Sequence, residues 1–256
     1  MNQIGMPVTS IERIGEDAGE VAEATYDSLL TLLRSLPDAA WEAPTDCTGW
    51  TVADMVGHII GAANSNASLR EMVRQTAYGV RHKAAFGGNA LDAINHLQVR
   101  DHAALTPGER IAELERMAPR AIAGRMRTPR LLHGVRVPLD FSGSMEGWNG
   151  ITLTLGKLNT VVYTRDAWLH RIDIARPLGL QVPRNPQLDR RVIEDAVADW
   201  AGNHGKPFRL TLHGAITGTY TQGTGGPEYE MDAYEWCRAV TRRITCDGLL
   251  RTPVLF

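Results

Sequence analysis

The stretch Arg165-Asp166-Ala-Trp-Leu-His170-Arg-Ile-Asp173-Ile-Ala combines apolar residues with two carboxylates and an imidazole. Asp166, His170 and Asp173 stand at positions i, i+4 and i+7, so they share one face of a helix. The helical pattern covers about residues 156–176 and ends before a proline and a glycine. We therefore predict a packed helix that presents three polar groups from a single face.

A second imidazole, His58, follows the earlier stretch Gly49-Trp-Thr-Val-Ala-Asp-Met-Val-Gly. The Thr-Val-Ala-Asp run has the residue types of a capping box, so we predict a helix that begins there and carries His58 on its apolar stripe. A lone imidazole on such a stripe is usually a hydrogen-bonded core residue. Together with Asp166 and His170, however, it would supply three nitrogen and oxygen ligands and leave one position open, as a catalytic Zn²⁺ site requires.

Length and composition limit the function classes. The chain has 256 residues, of which 43% are hydrophobic, and a formal net charge of −2. There is no basic excess to attract nucleic acid or anionic lipid, and no run approaches the roughly 20 apolar residues of a membrane span. We therefore expect a cytoplasmic protein that binds neither nucleic acid nor membrane. The cysteines lack CxxC spacing, which indicates reduced thiols, and we interpret Cys47 as structural.

Helical periodicity dominates the chain up to about residue 180. Further helices are predicted over about 10–36, 90–104 and 107–127, and the long connection over 129–155 is of the kind that often borders a site. These patterns predict four helices, followed by the motif helix as a fifth, in a helical bundle over residues 1–182.

After Pro183 the pattern changes to that of a smaller α+β domain, residues 183–256. A helix over 188–201 leads into alternating segments typical of strands at 208–213, 218–222 and 228–231, followed by a helix that Asp232 caps. We interpret the run Gly223–Gly226 as a hairpin turn. The fold class predicted for the whole chain is α+β.

Three motifs in this order carry a resemblance to a known family. They are the segment from Thr45 to His58, the segment from Asp166 to Asp173, and Asp232-Ala-Tyr-Glu-Trp-Cys-Arg238 with the later Gly248-Leu-Leu. With them the chain resembles the mycothiol-dependent maleylpyruvate isomerases, whose amino-terminal half is a DinB-like metal-binding four-helix bundle. The resemblance spans nearly the whole chain.

The resemblance implies a site. In the family a His and a carboxylate–His pair hold the metal, which fall here on His58, Asp166 and His170, although the isomerases have Glu where this chain has Asp166. It also implies Arg238 as the residue that binds a substrate carboxylate, for which a planar guanidinium is suited. Asp173 is expected to orient a ligand histidine or to act as a base, or else to pair with a neighbouring arginine. We interpret Arg165 and Arg171 as solvated helix charges.

The resemblance also implies the chemistry. The cofactors would be a divalent metal, with Zn²⁺ the expected ion, and mycothiol as thiol cosubstrate. A metal-bound thiolate would act on a small electrophile that bears a carboxylate. It would either isomerise a cis alkene or displace a leaving group. Two alternatives stay open: a metal-dependent hydrolase, and a non-catalytic small-molecule-binding protein with a structural metal. The chain is expected to be a monomer or a homodimer.

Overall fold

The structure is a computed structural model that describes residues 5–137 and 153–256. It divides into two compact units, residues 17–183 and residues 184–256, and the second also contains residues 5–16. The predicted domains, 1–182 and 183–256, assign the residues before 17 to the helical bundle, whereas the structure groups them with the second unit. Most of the connection predicted over 129–155 lies outside the described residues. Within the described ranges, no helix is long and apolar enough to cross a membrane.

The helical unit contains residues 17–183. Its helices are α1 Ala18–Arg34, α2 Val52–Ala67, α3 Leu69–His82, α4 Ala90–Asp101, α5 Pro107–Met126, the single turn α6 Leu155–Lys157 and α7 Tyr163–Ala175. The central element is α2, which contacts α3, α4, α5 and α7, while α1 contacts α5 and α7. Its apolar face packs in one core with residues of α1 and α7: Val52, Met55, Val56, Ile59, Leu29, Leu33, Ala167 and Ile174. The central position of α2 explains why a polar group on its buried face needs a partner.

The helix α3 has no counterpart among the helices predicted from the sequence. Its larger apolar residues face solvent, since Leu69 is 72% exposed and Val80 is 60% exposed. The residues that it buries are Gln75 and Gly79. A prediction that places the apolar stripe of a helix in the core therefore fails for α3, because the buried face of this helix carries a polar residue and a glycine.

The motif helix is present where the sequence predicts it, with one irregularity. The turn α6 continues through a π-helical turn, Leu158–Val162, into α7. Single π-helical turns are rare and frequently occur next to functional sites. The interpretation of Arg165 and Arg171 as solvated charges is wrong, because both side chains are fully buried. Arg171 donates from Nε to the Trp168 carbonyl at 3.1 Å and from Nη1 to the Ser28 hydroxyl.

The second unit is an α+β structure with a four-stranded sheet. It comprises β1 Met6–Pro7, α8 Pro186–His204, β2 Phe208–His213, β3 Gly218–Gln222, β4 Glu228–Asp232 and α9 Ala233–Val240. The strand order is β1-β3-β2-β4; β2 is antiparallel to β3 and parallel to β4. Asp232 caps α9, as predicted, because its side chain accepts from the backbone N–H groups of Tyr234 and Glu235. The α+β fold class is confirmed.

Two features of this unit differ from the sequence prediction. The run Gly223–Gly226 is not a hairpin turn: it connects β3 to β4, which lie on opposite sides of β2, and the hairpin is formed by β2 and β3. The predicted first helix begins only at Ala18, and the residues before it join the sheet through β1. Arg13 fixes this amino-terminal segment to α8 with Nε and Nη2 each 2.5 Å from a carboxylate oxygen, of Asp195 and Asp199 respectively.

Candidate metal centre

The turn before α2 sets the position of His58. The side chain of Thr51 accepts from the backbone N–H of Asp54 at 3.1 Å, and the Asp54 carboxylate accepts from the backbone N–H of Thr51 at 3.0 Å. This is the predicted capping box, which satisfies two N–H groups that the first helical turn leaves open. The turn is also attached to α7, since the backbone N–H of Asp46 donates to the Asp173 carbonyl at 3.0 Å. One short segment therefore fixes both motif helices.

The helices α2 and α7 bring His58, Asp166 and His170 together. Nε2 of His58 lies 3.5 Å from one carboxylate oxygen of Asp166, and Nε2 of His170 lies 3.2 Å from the other. One ligand atom from each residue lies within 4.8 Å of the others. The imidazole rings meet edge to face at a centroid distance of 5.5 Å, and the Trp50 ring lies 5.1 Å from that of His58. The two Nε2 atoms and the carboxylate therefore converge on one small volume.

Each imidazole also makes a hydrogen bond at Nδ1, the ring nitrogen that faces away from Asp166. Nδ1 of His170 lies 2.8 Å from Oδ2 of Asp173, which is fully buried. Nδ1 of His58 lies 2.8 Å from Oε1 of Gln98 on α4. Gln98 was missed in the sequence analysis, and no spacing signal would have found it, because it lies on a helix outside both motifs. With both Nδ1 atoms occupied, the Nε2 atoms are left for a shared ligand.

The electrostatics of His58, Asp166 and His170 favour a proton shared between the groups. Burial opposes the charged form of His170, but the Asp166 carboxylate and the hydrogen bonds to Asp166 and Asp173 outweigh it and raise the pKa of His170 well above its ordinary value. Burial likewise opposes ionisation of Asp166, but His170 and His58 outweigh it and lower the pKa of that carboxyl. A cation that binds here must therefore displace a proton from His170.

Cys47 is close to this site in space. Its Sγ lies 3.6 Å from Oδ2 of Asp173, the oxygen that also faces His170. Cys47, His170 and Asp173 form a second group whose possible ligand atoms lie within 4.8 Å of one another. Cys47 was interpreted as structural from the sequence, and the fold places Asp173 and His170 of α7 beside it.

The donor set fits a divalent cation. Two imidazole nitrogens and one carboxylate suit Zn²⁺ and neighbouring transition metals, and three protein ligands leave a position for water or another ligand. His58 and His170 are buried, whereas 28% of the Asp166 side chain is exposed. The two imidazoles therefore lie in the core, and the Asp166 side chain is the part of the trio that solvent reaches most.

Arg238 lies in the other compact unit. It is on α9, where its side chain is 8% exposed and Nη1 donates to the Glu235 carboxylate at 2.8 Å. Its predicted role as the substrate-binding arginine rests on the family resemblance.

Comparison with known protein families finds a match within the helical unit. Residues 22–133 match the family model of the mycothiol maleylpyruvate isomerase N-terminal domain. These residues, less than half of the chain, are similar to that isomerase-type domain. The isomerase resemblance inferred from the sequence is therefore confirmed. The matched range of this isomerase-type domain contains His58 and ends before Asp166 and His170.

Similarity to whole proteins extends beyond the isomerase-type domain. Two uncharacterized proteins from strains of Mycobacterium tuberculosis, MT0041 and Rv0036c, are each 26% identical over 237 residues, which is 86% of this chain and 82% of each relative. A crystal structure of the mycothiol-dependent maleylpyruvate isomerase matches with a TM-score of 0.57 at 14% identity, over 97% of this chain and 94% of that one. A variant of that enzyme with one histidine replaced by alanine matches with a TM-score of 0.56 at 14% identity, over 93% and 92% of the chains. The two structures establish the shared fold.

Proposed function

We propose that this protein is a metal-dependent enzyme that uses mycothiol as its thiol cosubstrate. It acts as an isomerase or a thiol S-transferase on a small electrophile that bears a carboxylate. The observation that carries the proposal is the convergence of the two Nε2 atoms, of His58 and His170, on the Asp166 carboxylate. The isomerase-type domain and the shared fold support the choice of thiol chemistry over other reactions of such a site.

The residues of the trio would hold the ion. His58, Asp166 and His170 are its ligands in this proposal, and His170 gives up a proton when the ion binds. A divalent cation at this position, with Zn²⁺ the expected ion, supplies a Lewis acid that lowers the pKa of a thiol. The shorter Asp166, where the resemblance implies Glu in the isomerases, requires either two motif helices that lie closer together or a different metal and geometry. The attachment of the turn at Asp46 to α7 is consistent with that closeness.

Asp173 and Arg238 take different roles. The Asp173 carboxylate is fully buried, and its Oδ2 faces both His170 and Cys47, which supports a positioning role over that of a base. It keeps the His170 proton on Nδ1 and so leaves the Nε2 lone pair free. Arg238 binds the substrate carboxylate through its planar guanidinium, a role that comes from the resemblance.

The first test is the metal content of the purified protein. Mass spectrometry should find about one divalent ion per chain in the wild type, and little in His58→Ala and His170→Ala, because each variant removes one of three ligands. His82→Ala is a matched control, since its imidazole lies on α3 and contacts the Tyr78 carbonyl and ring. A wild-type protein that holds no metal and cannot be reconstituted would contradict the proposal.

The second test is thiol dependence. The metal-loaded protein is incubated with maleylpyruvate, with and without mycothiol, and loss of the cis alkene is followed by absorbance; S-transfer is followed with an alkylating electrophile. Turnover that needs the thiol supports the proposal. Turnover by water without thiol would indicate the hydrolase, and a metal that neither exchanges nor supports turnover would indicate a structural ion in a binding protein.

A further inference from the structure

The Nδ1 atom of His58 is the end of a buried chain of side-chain amides. Gln98 on α4 faces it with Oε1 at 2.8 Å, and Nε2 of Gln98 donates to Oε1 of Gln75 on α3 at 2.7 Å. Nε2 of Gln75 donates to the Gly61 carbonyl at 2.9 Å and to the Glu71 carboxylate at 3.0 Å. Gln98 is 5% exposed and Gln75 is 3% exposed. Three helices, α2, α3 and α4, therefore contribute to one hydrogen-bonded chain that ends at His58.

The direction of this chain is fixed at its far end. A backbone carbonyl and a carboxylate can only accept, so the NH₂ group of Gln75 must face Gly61 and Glu71. Its oxygen then faces Gln98, which must in turn present its own NH₂ group. The Gln98 oxygen is left facing His58, and an oxygen that can only accept requires a proton on Nδ1. Reversing either amide would bring two acceptors together in the core, at the cost of unsatisfied buried groups.

We propose that Gln98 and Gln75 position His58 by fixing its Nδ1–H tautomer, so that the lone pair of Nε2 points towards Asp166. Gln98 acts directly on the imidazole, and Gln75 orients Gln98. Both are positioning residues, and the inference rests on the proposed metal site for its purpose but not for its geometry.

A glycine on α2, Gly61, allows the close approach of α2 and α4 at this contact. A Cβ atom added at Gly61 would lie 2.5 Å from both Cβ and Cγ of Gln98, closer than carbon atoms can approach. The glycine therefore lets the Gln98 side chain lie against α2 beside His58. The buried polar face of α3 has the same explanation: Gln75 is turned inward because it completes the chain.

The direct test is the protonation of the His58 ring in the metal-free protein. Nitrogen-15 NMR of the imidazoles at alkaline pH, with His58→Ala for assignment, should show the proton of His58 on Nδ1. In Gln98→Leu, which removes the acceptor, the proton should move wholly or partly to Nε2. In Gln98→Glu, which keeps an acceptor towards His58 and turns the Gln75 amide so that its NH₂ group faces the new carboxylate, the proton should stay on Nδ1. Rescue by the acceptor is a result that a merely structural role of Gln98 would not give.

The functional test uses Co²⁺ as the probe, since its absorption bands report binding and geometry. Gln98→Leu should bind Co²⁺ about 10- to 100-fold more weakly than the wild type, as expected when the partner of a ligand imidazole is removed. Gln75→Leu should show a smaller loss in the same direction. Asn64→Leu is the matched control, because Asn64 links α2 to His102 at the end of α4 with its amide 3.2 Å from the imidazole. It should bind Co²⁺ as the wild type does.

The outcomes separate this inference from the proposed function. A wild-type protein that binds no Co²⁺ would contradict the metal site, while the NMR measurement would still decide whether the amide chain fixes His58. A wild-type His58 protonated on Nε2 would overturn the inference whatever the metal does. Wild-type Co²⁺ affinity in Gln98→Leu would also overturn it. If Gln98→Leu does not fold, the other two variants still decide the question. Gln98→Glu must keep the proton on Nδ1 of His58, and Gln75→Leu must weaken the preference for that tautomer.

Discussion

Replacing Asp173 by Asn tests how the site holds His170. The substitution keeps the shape of the side chain and removes the charge that accepts from Nδ1 of His170 at 2.8 Å. Loss of such a partner typically weakens metal binding 10- to 100-fold, or about 1.4–2.7 kcal/mol. Because Asp173 is fully buried and water cannot replace it, we expect the upper end, about 100-fold, for Zn²⁺.

Cys47→Ser is the matched comparison, because Cys47 faces the same oxygen of Asp173. Its Sγ lies 3.6 Å from Oδ2, and a thiol is a weak donor. Because the thiol is a weak donor and the contact is long, we expect this hydrogen bond to contribute about 1 kcal/mol or less although its acceptor is a carboxylate, and therefore a loss of less than about fivefold in Zn²⁺ affinity. The difference between the two variants separates the charge on Asp173 from general disturbance of the turn before α2.

The assay is a competition titration of metal-free protein with Zn²⁺ against a chromophoric chelator at two pH values. Asp173 contributes to the raised pKa of His170, so Asp173→Asn lowers that pKa and weakens the competition from protons. The affinity loss should therefore be larger at pH 8.5 than at pH 6.5. Wild-type affinity in Asp173→Asn, or an equal loss in Cys47→Ser, would refute the assignment of Asp173 as the residue that positions His170.

Three further predictions concern stability. Thr51→Ala removes the capping box of α2 and should cost about 1 kcal/mol, or about 2–4 °C in Tm by calorimetry, whereas an unchanged Tm would show that the cap contributes little. Gly61→Ala forces Gln98 away from α2 and should cost about 1–3 kcal/mol in urea unfolding together with a loss of Co²⁺ affinity. In the metal-free protein, the raised pKa of His170 gives stability that is complete below about pH 6.5 and is lost as the pH rises through the folded value. The lowered pKa of Asp166 gives stability that is present above about pH 4 and is lost as the pH falls through the folded value. Their joint contribution to the free energy of unfolding should therefore be greatest between about pH 4 and 6.5. Saturating Zn²⁺ should move the pH of greatest stability upward. A urea midpoint of the metal-free protein that increases as the pH rises above about 7 would contradict this.

The parts of the molecule that the sequence predicts well are those with local causes. The capping box at Thr51 follows from residue types three apart, and the motif helix follows from its period and its stop signals. The strands β2 and β3 have the predicted bounds because their side chains alternate and turn residues flank them. Strand order was missed, since the parallel pairing of β2 with β4 is a long-range contact that the run Gly223–Gly226 does not encode.

The parts that escaped prediction depend on polar contacts between distant segments. Arg171 is buried although its type is typical of a surface, because the Trp168 carbonyl and the Ser28 hydroxyl accept its N–H groups. Gln75 and Gln98 are buried for the same reason, and each satisfies the other. No hydrophobic period marks such residues, since a buried amide and a solvated amide look alike in the sequence. The two buried amides were therefore harder to predict than Asp173, which lies in the motif helix.

The two imidazoles of the site are supported by acceptors of different charge, and this difference has a testable consequence. Asp173 is a carboxylate, whereas Gln98 is neutral, so Asp166 and Asp173 are the carboxylates that contact the two imidazoles in the described part of the chain. A third carboxylate at position 98 would make the site less able to take an anionic ligand such as a thiolate. Two unit charges roughly 8 Å apart interact by about 2 kcal/mol at an effective dielectric constant of about 20. We therefore expect Gln98→Glu to bind Co²⁺ at least as tightly as the wild type, but to bind 2-mercaptoethanol about tenfold or more weakly in the Co²⁺-loaded protein, as read from the sulfur-to-cobalt absorption band. Equal thiol affinity in the two proteins would show that the neutral acceptor behind His58 serves geometry alone.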